Sequence, residues 1–91
     1  MQEIINNEQW HRFEMHVDGK MGVVEYSKQG NTYLLMHTEL PAELEGHGLA
    51  KVMVEKTLEW IQQNGSLMKP CCPYILSYLK RHPEWQKTAA T

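Results

Sequence analysis

Glu45-Gly46-His47-Gly48-Leu49-Ala50, running on through Lys51-Val52-Met53-Val54 to Asn64-Gly65, is the stretch that decides the fold. From Ala50 onward, apolar or small side chains fall at Ala50, Met53, Val54, Thr57, Leu58 and Ile61. That three-and-four stepping marks one face of a helix. Lys51, Glu55, Lys56, Glu59 and Gln62 occupy much of the remaining surface, and Asn64-Gly65 ends the helix with residues that tolerate the left-handed conformation. The helix is expected from about Gly48 to Asn64. Glycines at its start let the backbone turn tightly and approach a ligand with no Cβ in the way. The free N–H groups of its first turn then point outward together, and with the helix dipole they form an anion site for which a pyrophosphate is the natural guest. Gly-x-Gly at a helix start is equally the mark of a tight strand-to-helix turn.

Upstream the pattern is that of strands. Asp18-Gly19 is a strong hairpin turn and Gln29-Gly30-Asn31 a second turn. Around them lie Arg12 to Val17, Met21 to Ser27 and Thr32 to Leu40, the middle one rich in β-formers at Val23, Val24 and Tyr26. These three predict an antiparallel meander. Downstream, Ser66 to Lys69 is a short candidate fourth strand, and Pro73 suits the first turn of a second helix. Cys72, Ile75, Leu76 and Leu79 share one face of that helix, which His82-Pro83 stops. Residues 86–91 read as a frayed tail. The whole predicts one α+β domain over 1–91, with an antiparallel sheet of three or four strands, one long helix and one short one.

Bulk properties narrow the function classes. The chain has 91 residues, 42% of them apolar and 22% charged, which is ordinary for a globular domain. A formal net charge of −2 gives no basic excess for nucleic acid or an anionic membrane. No apolar run approaches a membrane span. Met1 to Glu8 carries two acids and no basic cluster, unlike a signal or transit peptide, so the expected location is the cytoplasm. Cys71 and Cys72 are there expected as thiols. Their adjacency lacks zinc-ligand spacing, and no metal site is expected.

Gly46-His47-Gly48-Leu49-Ala50 is similar to the acetyl-CoA signature of the GNAT acetyltransferases, Gln/Arg-x-x-Gly-x-Gly/Ala, with Glu45 beside it in a place that superfamily gives to Gln or Arg. The run His37-Thr38-Glu39-Leu40-Pro41, then the glycine loop, then Pro70-Cys71-Cys72-Pro73-Tyr74, then Arg81-His82-Pro83-Glu84-Trp85 resembles a compact single-domain branch, the YjdJ type, over about residues 10–85. The resemblance implies a GNAT-like fold and transfer of an acetyl group from acetyl-CoA to an amine, on a small molecule or a protein. It implies cofactor contacts at Leu40, Glu45, Gly46, His47, Gly48, Leu49, Ala50 and Tyr74. An acid beside a pyrophosphate is repelled if its side chain faces the ligand, so Glu45 is expected to contribute its backbone.

Two residues are candidates for the chemistry. Cys72 sits at a helix start, where the dipole favours a thiolate, and it matches the recurrent cysteine of the compact branch. The same position also reads as an ordinary buried packing residue. His37 stands two residues from Glu39 on a strand, so both are expected to face the acceptor cleft together while Thr38 faces away. Tyr74 and Tyr78 share a helix face, beside the cofactor or in the core, and Lys80 and Arg81 carry charge suited to the cofactor's 3′-phosphate. The chain lacks the N-terminal helices that help form the acceptor site in larger GNAT enzymes. The alternative reading is therefore a module that holds CoA or acyl-CoA without turnover.

Overall fold

The computed structural model describes residues 3–90. Residues 4–39 form four strands: β1 (Ile4–Asn7), β2 (Arg12–Val17), β3 (Lys20–Gln29) and β4 (Thr32–Glu39). Asp18 and Gly19 both take positive φ, 51° and 77°, as the tight turn between β2 and β3 demands. After a 3-10 turn at Ala42–Leu44 come helix α1 (Leu49–Gln63), β5 (Leu67–Pro70), helix α2 (Pro73–Arg81) and a second 3-10 turn at Pro83–Thr88.

The sheet has five strands in sequence order, antiparallel from β1 to β4, with β5 parallel to β4. It is therefore a mixed sheet, and larger than the three or four antiparallel strands expected. β5 runs parallel because α1 carries the chain back along the sheet before it re-enters. β1 is short and half polar, which hid it. Its Asn6 accepts a hydrogen bond from the Tyr26 hydroxyl at 2.6 Å, and its Asn7 donates to Glu14 at 2.9 Å.

One face of the sheet carries the core. Phe13, Met15, Val24 and Leu35 pack against Met53, Leu58 and Ile61 of α1 and Ile75 of α2, all fully buried. Trp60 meets Phe13 edge-on at 5.2 Å, whereas Trp10 is 65% exposed. On the opposite face Glu14 is 7% exposed and is bonded by Arg12, Asn7 and His16. Those bonds, Arg12 first, lower its carboxyl to about 2.

Two expectations change. On α2 the buried residues are Ile75 and Tyr78, while Leu76 is 42% exposed. The helix is rolled toward α1, where the Tyr78 hydroxyl donates to Glu55 at 2.9 Å. The segment 86–91 does not fray over its described part. Thr88 is buried, Ala89 bridges Met68, and the Ala90 amide donates to the Met68 carbonyl at 2.8 Å. The outer edge of β5 would otherwise leave these groups unpaired. Thr91 lies outside the described residues.

The feature that positions the site is an irregularity within β4. Leu35 is opposite Tyr26 and His37 is opposite Glu25, so Met36 is an extra residue, a β-bulge. The bulge shifts the alternation of side chains. Thr38, opposite the buried Val24, joins Leu35 on the helix side, and His37 goes to the other face. Pairing with β5 ends at the same point, with Leu35 opposite Pro70. The Leu35 carbonyl accepts the amides of both Cys71 and Cys72 at 2.9 Å, and the chain then leaves the sheet for α2. Past the bulge β4 is paired on one side only.

Candidate functional site

The gap between the far half of β4 and the starts of α1 and α2 is an open cleft of about 480 Å3. Thr38, Glu39 and Leu40 form one wall, and Glu45, Gly46, Gly48, Leu49, Ala50 and Lys51 form another, with Met53 and Tyr74 contributing. Of the residues expected at a cofactor, all but His47 line it; His47 is exposed in the loop. Gly22 closes the packing behind this wall. A Cβ there would lie 2.8 Å from Leu40 Cδ1 and 2.9 Å from Met53 Sδ, so β3 can approach the cleft residues only without a side chain.

The loop wall is made of backbone. Gly46 and Gly48 hold φ of 85° and 70°, a region L side chains rarely adopt, and a Cβ at either position would meet nothing within 4 Å. The glycines are thus required by conformation and leave open space in front of them. Gly48 caps α1 in the left-handed region without a side-chain hydrogen bond, and the first turn of α1 holds no acid. From Gly46 through Lys51, no amide makes a hydrogen bond of good geometry to an acceptor among the described residues. Donors placed this way at the positive end of a helix can accept an anion or water. Lys51 adds a cation at the same wall and Glu45 an exposed acid.

Cys72 caps the start of α2 with extended backbone, and Pro73 follows in the first turn. It is 4% exposed and lies behind Thr38, whose hydroxyl is 3.4 Å from its sulfur. Burial raises the thiol's pKa most strongly of any single influence. The Thr38 hydroxyl and the amides of Ile75, Tyr74 and Thr38 together outweigh it and hold the thiol below its ordinary value. Cys72 is thus a buried residue whose thiol pKa is lowered by its hydrogen bonds.

His37 and Glu39 are on one side of β4, as two-residue spacing requires, with His37 Nε2 at 3.8 Å from Glu39 Oε1 and both side chains more than half exposed. The bulge turns His37 away from Cys72, however, and brings Thr38 to the cleft instead. Thr38 is the residue that sequence reasoning missed; counting alternate positions backward from Glu39 could not find it, because the count must slip by one at Met36. Tyr74 and Tyr78 also part company. Tyr74 is 37% exposed at the cleft, whereas Tyr78 is buried, with its hydroxyl pushed up to about 12 by burial and by its bond to Glu55.

Among the described residues no cluster of three or more His, Cys, Asp or Glu is placed to hold a metal, and no helix is long and apolar enough to cross a membrane. A family model described as GCN5-related N-acetyl-transferase matches residues 12–88, from β2 through the last 3-10 turn, and so includes the whole cleft. No curated protein sequence matches the chain.

Proposed function

The chain belongs to the GCN5-related N-acetyltransferase family, and from that premise we propose that it transfers an acetyl group from acetyl-CoA to an amine acceptor, on a small molecule or a protein. The observation that carries this reading is the backbone run from Gly46 to Lys51 along one wall of the cleft, where no amide makes a hydrogen bond of good geometry to a described residue. When bound, acetyl-CoA supplies a thioester whose carbonyl carbon an uncharged amine attacks, so that the acetyl group passes to nitrogen and CoA leaves as the thiol.

The chain's own groups have distinct tasks in this reading. The amides of Gly46, His47, Gly48, Leu49 and Ala50 hold the diphosphate, and Glu45 takes part through its backbone because its carboxylate repels phosphate. Leu40, Leu49 and Tyr74 give the cofactor apolar walls. The open edge of β4 past Met36 offers backbone groups to the amides of the cofactor's arm, in the manner of an added strand. An arm held there would bring its thioester to the far half of β4, where positioning would supply proximity. His37, with Glu39 beside it, lies on the face of β4 opposite Cys72, and would take a proton from the amine only if the acceptor approaches from that face. Cys72, a thiol of lowered pKa behind Thr38, would reach the departing thiolate only through the Thr38 hydroxyl, which would pass on a proton and take the thiol's in its place. Cys71 and Cys72 are both free, in keeping with work in the cytoplasm.

Calorimetric titration with acetyl-CoA, followed by CoA-thiol release with a panel of amines, tests the reading. Micromolar binding and amine-dependent release are expected. Absence of binding at millimolar acetyl-CoA would overturn it. Within it, His37→Gln is expected to lower kcat about a hundredfold, the low end for a general base, with KM for acetyl-CoA unchanged. Full turnover by His37→Gln removes the proton role and leaves the transferase reading standing.

A further inference from the structure

Toward the other end of β4 from the cleft lies a small cavity of about 160 Å3, lined by Glu8, His11, Tyr26, Lys28 and Tyr33. It shares no residue with the cleft. Tyr33 stands five residues before Thr38 on β4, which separates the two hollows by roughly 15 Å along the strand. Its floor is aromatic and buried: Tyr26 and Tyr33 meet edge-on, with ring centres 4.8 Å apart. The turn that carries Glu8 and His11 is held from both strands. The Trp10 amide donates to Asn7 Oδ1 at 3.2 Å, and the Tyr26 amide donates to the His11 carbonyl at 2.9 Å. Three polar groups around this floor lack a counterpart. Glu8 and Lys28 are exposed, do not pair with each other, and have no other ion-pair partner among the described residues. Lys28 Nζ lies instead 4.9 Å from the centre of the Tyr33 ring. The Tyr33 hydroxyl accepts a long bond of 3.5 Å from Asn6 and donates to no acceptor among the described residues, whereas the Tyr26 hydroxyl donates to Asn6 Oδ1 at 2.6 Å.

A carboxylate and an ammonium that border one hollow without pairing suit a ligand that carries both charges itself. We infer that this cavity binds a small apolar α-amino acid as its zwitterion, at a site separate from the transferase cleft. The ligand's ammonium goes to Glu8 and the aromatic floor, and its carboxylate to Lys28 and the unspent Tyr33 O–H. Its side chain lies on the tyrosine rings, with the His11 ring, 6.1 Å from that of Tyr26, as a border. A ligand with one charge only is attracted by one of the two flanking groups and repelled by the other. The volume is well below the roughly 300 Å3 at which pockets for drug-sized ligands begin, and so admits one small molecule. The inference is independent of the acetyl-CoA reading of the cleft.

Amide chemical-shift titration with L-valine, with L-valinamide (no carboxylate) and with 3-methylbutanoate (no ammonium) tests it. Valine is expected to give saturable shifts centred on His11, Tyr26 and Lys28, with a Kd of about 1 mM, the scale for so small a ligand. Each analogue should bind about tenfold more weakly. Glu8→Gln and Lys28→Met change exposed side chains and keep the fold, and each should weaken valine about tenfold while leaving acetyl-CoA affinity as in the wild type. Tyr33→Phe should weaken valine about fivefold through loss of one donor. Absence of saturable shifts at roughly ten times the expected Kd overturns the inference. So does binding of either analogue as tight as that of valine. Valine affinity that survives both Glu8→Gln and Lys28→Met, with shifts at Thr38 to Ala50, would place the amino acid in the cleft and overturn the separate site.

Discussion

The molecule starts its two helices in opposite ways. α1 begins at Gly48, in the left-handed region, with no side-chain cap and no acid in its first turn. Its leading amides face a cleft and make no sound hydrogen bond among the described residues. α2 begins at Cys72, in extended backbone, with Pro73 removing one amide donor from its first turn. The amides of Tyr74 and Ile75 approach the buried sulfur and favour its anionic form. The same physical device, a positive helix end, is thus turned inward at α2 and left unused by the protein at α1. A helix start that engages its own donors has less to offer a ligand than one that leaves them to water or a guest.

The widest test of that contrast is to fill the empty space in front of α1. Gly48→Trp places a bulky side chain over the free amides and is expected to weaken acetyl-CoA binding at least about a hundredfold by calorimetry. It also forces a non-glycine residue to a φ of 70°, costing about 1–2 kcal/mol of stability. A thermal melt alongside the titration separates loss of the site from loss of the fold. Retained affinity in a folded variant would break the comparison, because α1's start would then not be the anion site.

The converse experiment is on α2. Cys72→Ala deletes a 4%-exposed sulfur that contacts Thr38, and should cost about 1–3 kcal/mol in a denaturant titration. Acetyl-CoA affinity should stay within about threefold of wild type, since the sulfur does not line the cleft. The effect has a pH signature. The folded thiol's pKa is below its ordinary 9.0, so folding favours the thiolate, and the stabilisation is greatest above 9.0. It is lost as pH falls through the folded value. The stability gap between wild type and Cys72→Ala should therefore widen as pH rises from neutral toward 9. A flat gap would make Cys72 a packing residue alone.

The two helix starts also differ in how readable they were. α1 and its glycine loop were legible because helical periodicity and two adjacent glycines are local signals, and the observed Leu49–Gln63 falls within the expected Gly48 to Asn64. The loop residues from Glu45 to Ala50 other than His47 all line the cleft for the same local reason. The opposing wall was misread by one residue. Nothing in Leu35-Met36-His37-Thr38 marks Met36 as a bulge; it exists because β3 and β4 change register there, which is a property of two strands. So Thr38 and His37 exchanged faces. β1 was missed because Ile4-Ile5-Asn6-Asn7 is too short to show alternation, and its asparagines read as loop until Tyr26 and Glu14 supply their partners. The fate of residues 86–90 depends on the bare edge of β5, again a tertiary fact.

The smallest effect probes the electrostatics of the α1 wall. The backbone of Glu45 is extended, with φ of −71°, at the entry to the glycine loop, and its exposed carboxylate borders the cleft beside the free amides. An acid there opposes the positive field of the helix end, and solvent screens but does not erase the opposition. Glu45→Gln keeps the shape and removes the charge, and is expected to tighten acetyl-CoA binding by about 0.5–1 kcal/mol, or roughly two- to fivefold. The gain should fade at high salt, where the exposed charge no longer reaches the ligand. A loss of affinity instead would mean that the carboxylate itself contacts the ligand, as an acceptor for a hydroxyl or amide. The α1 start would then hold its guest partly by a side chain, and its contrast with the thiol-capped start of α2 would narrow.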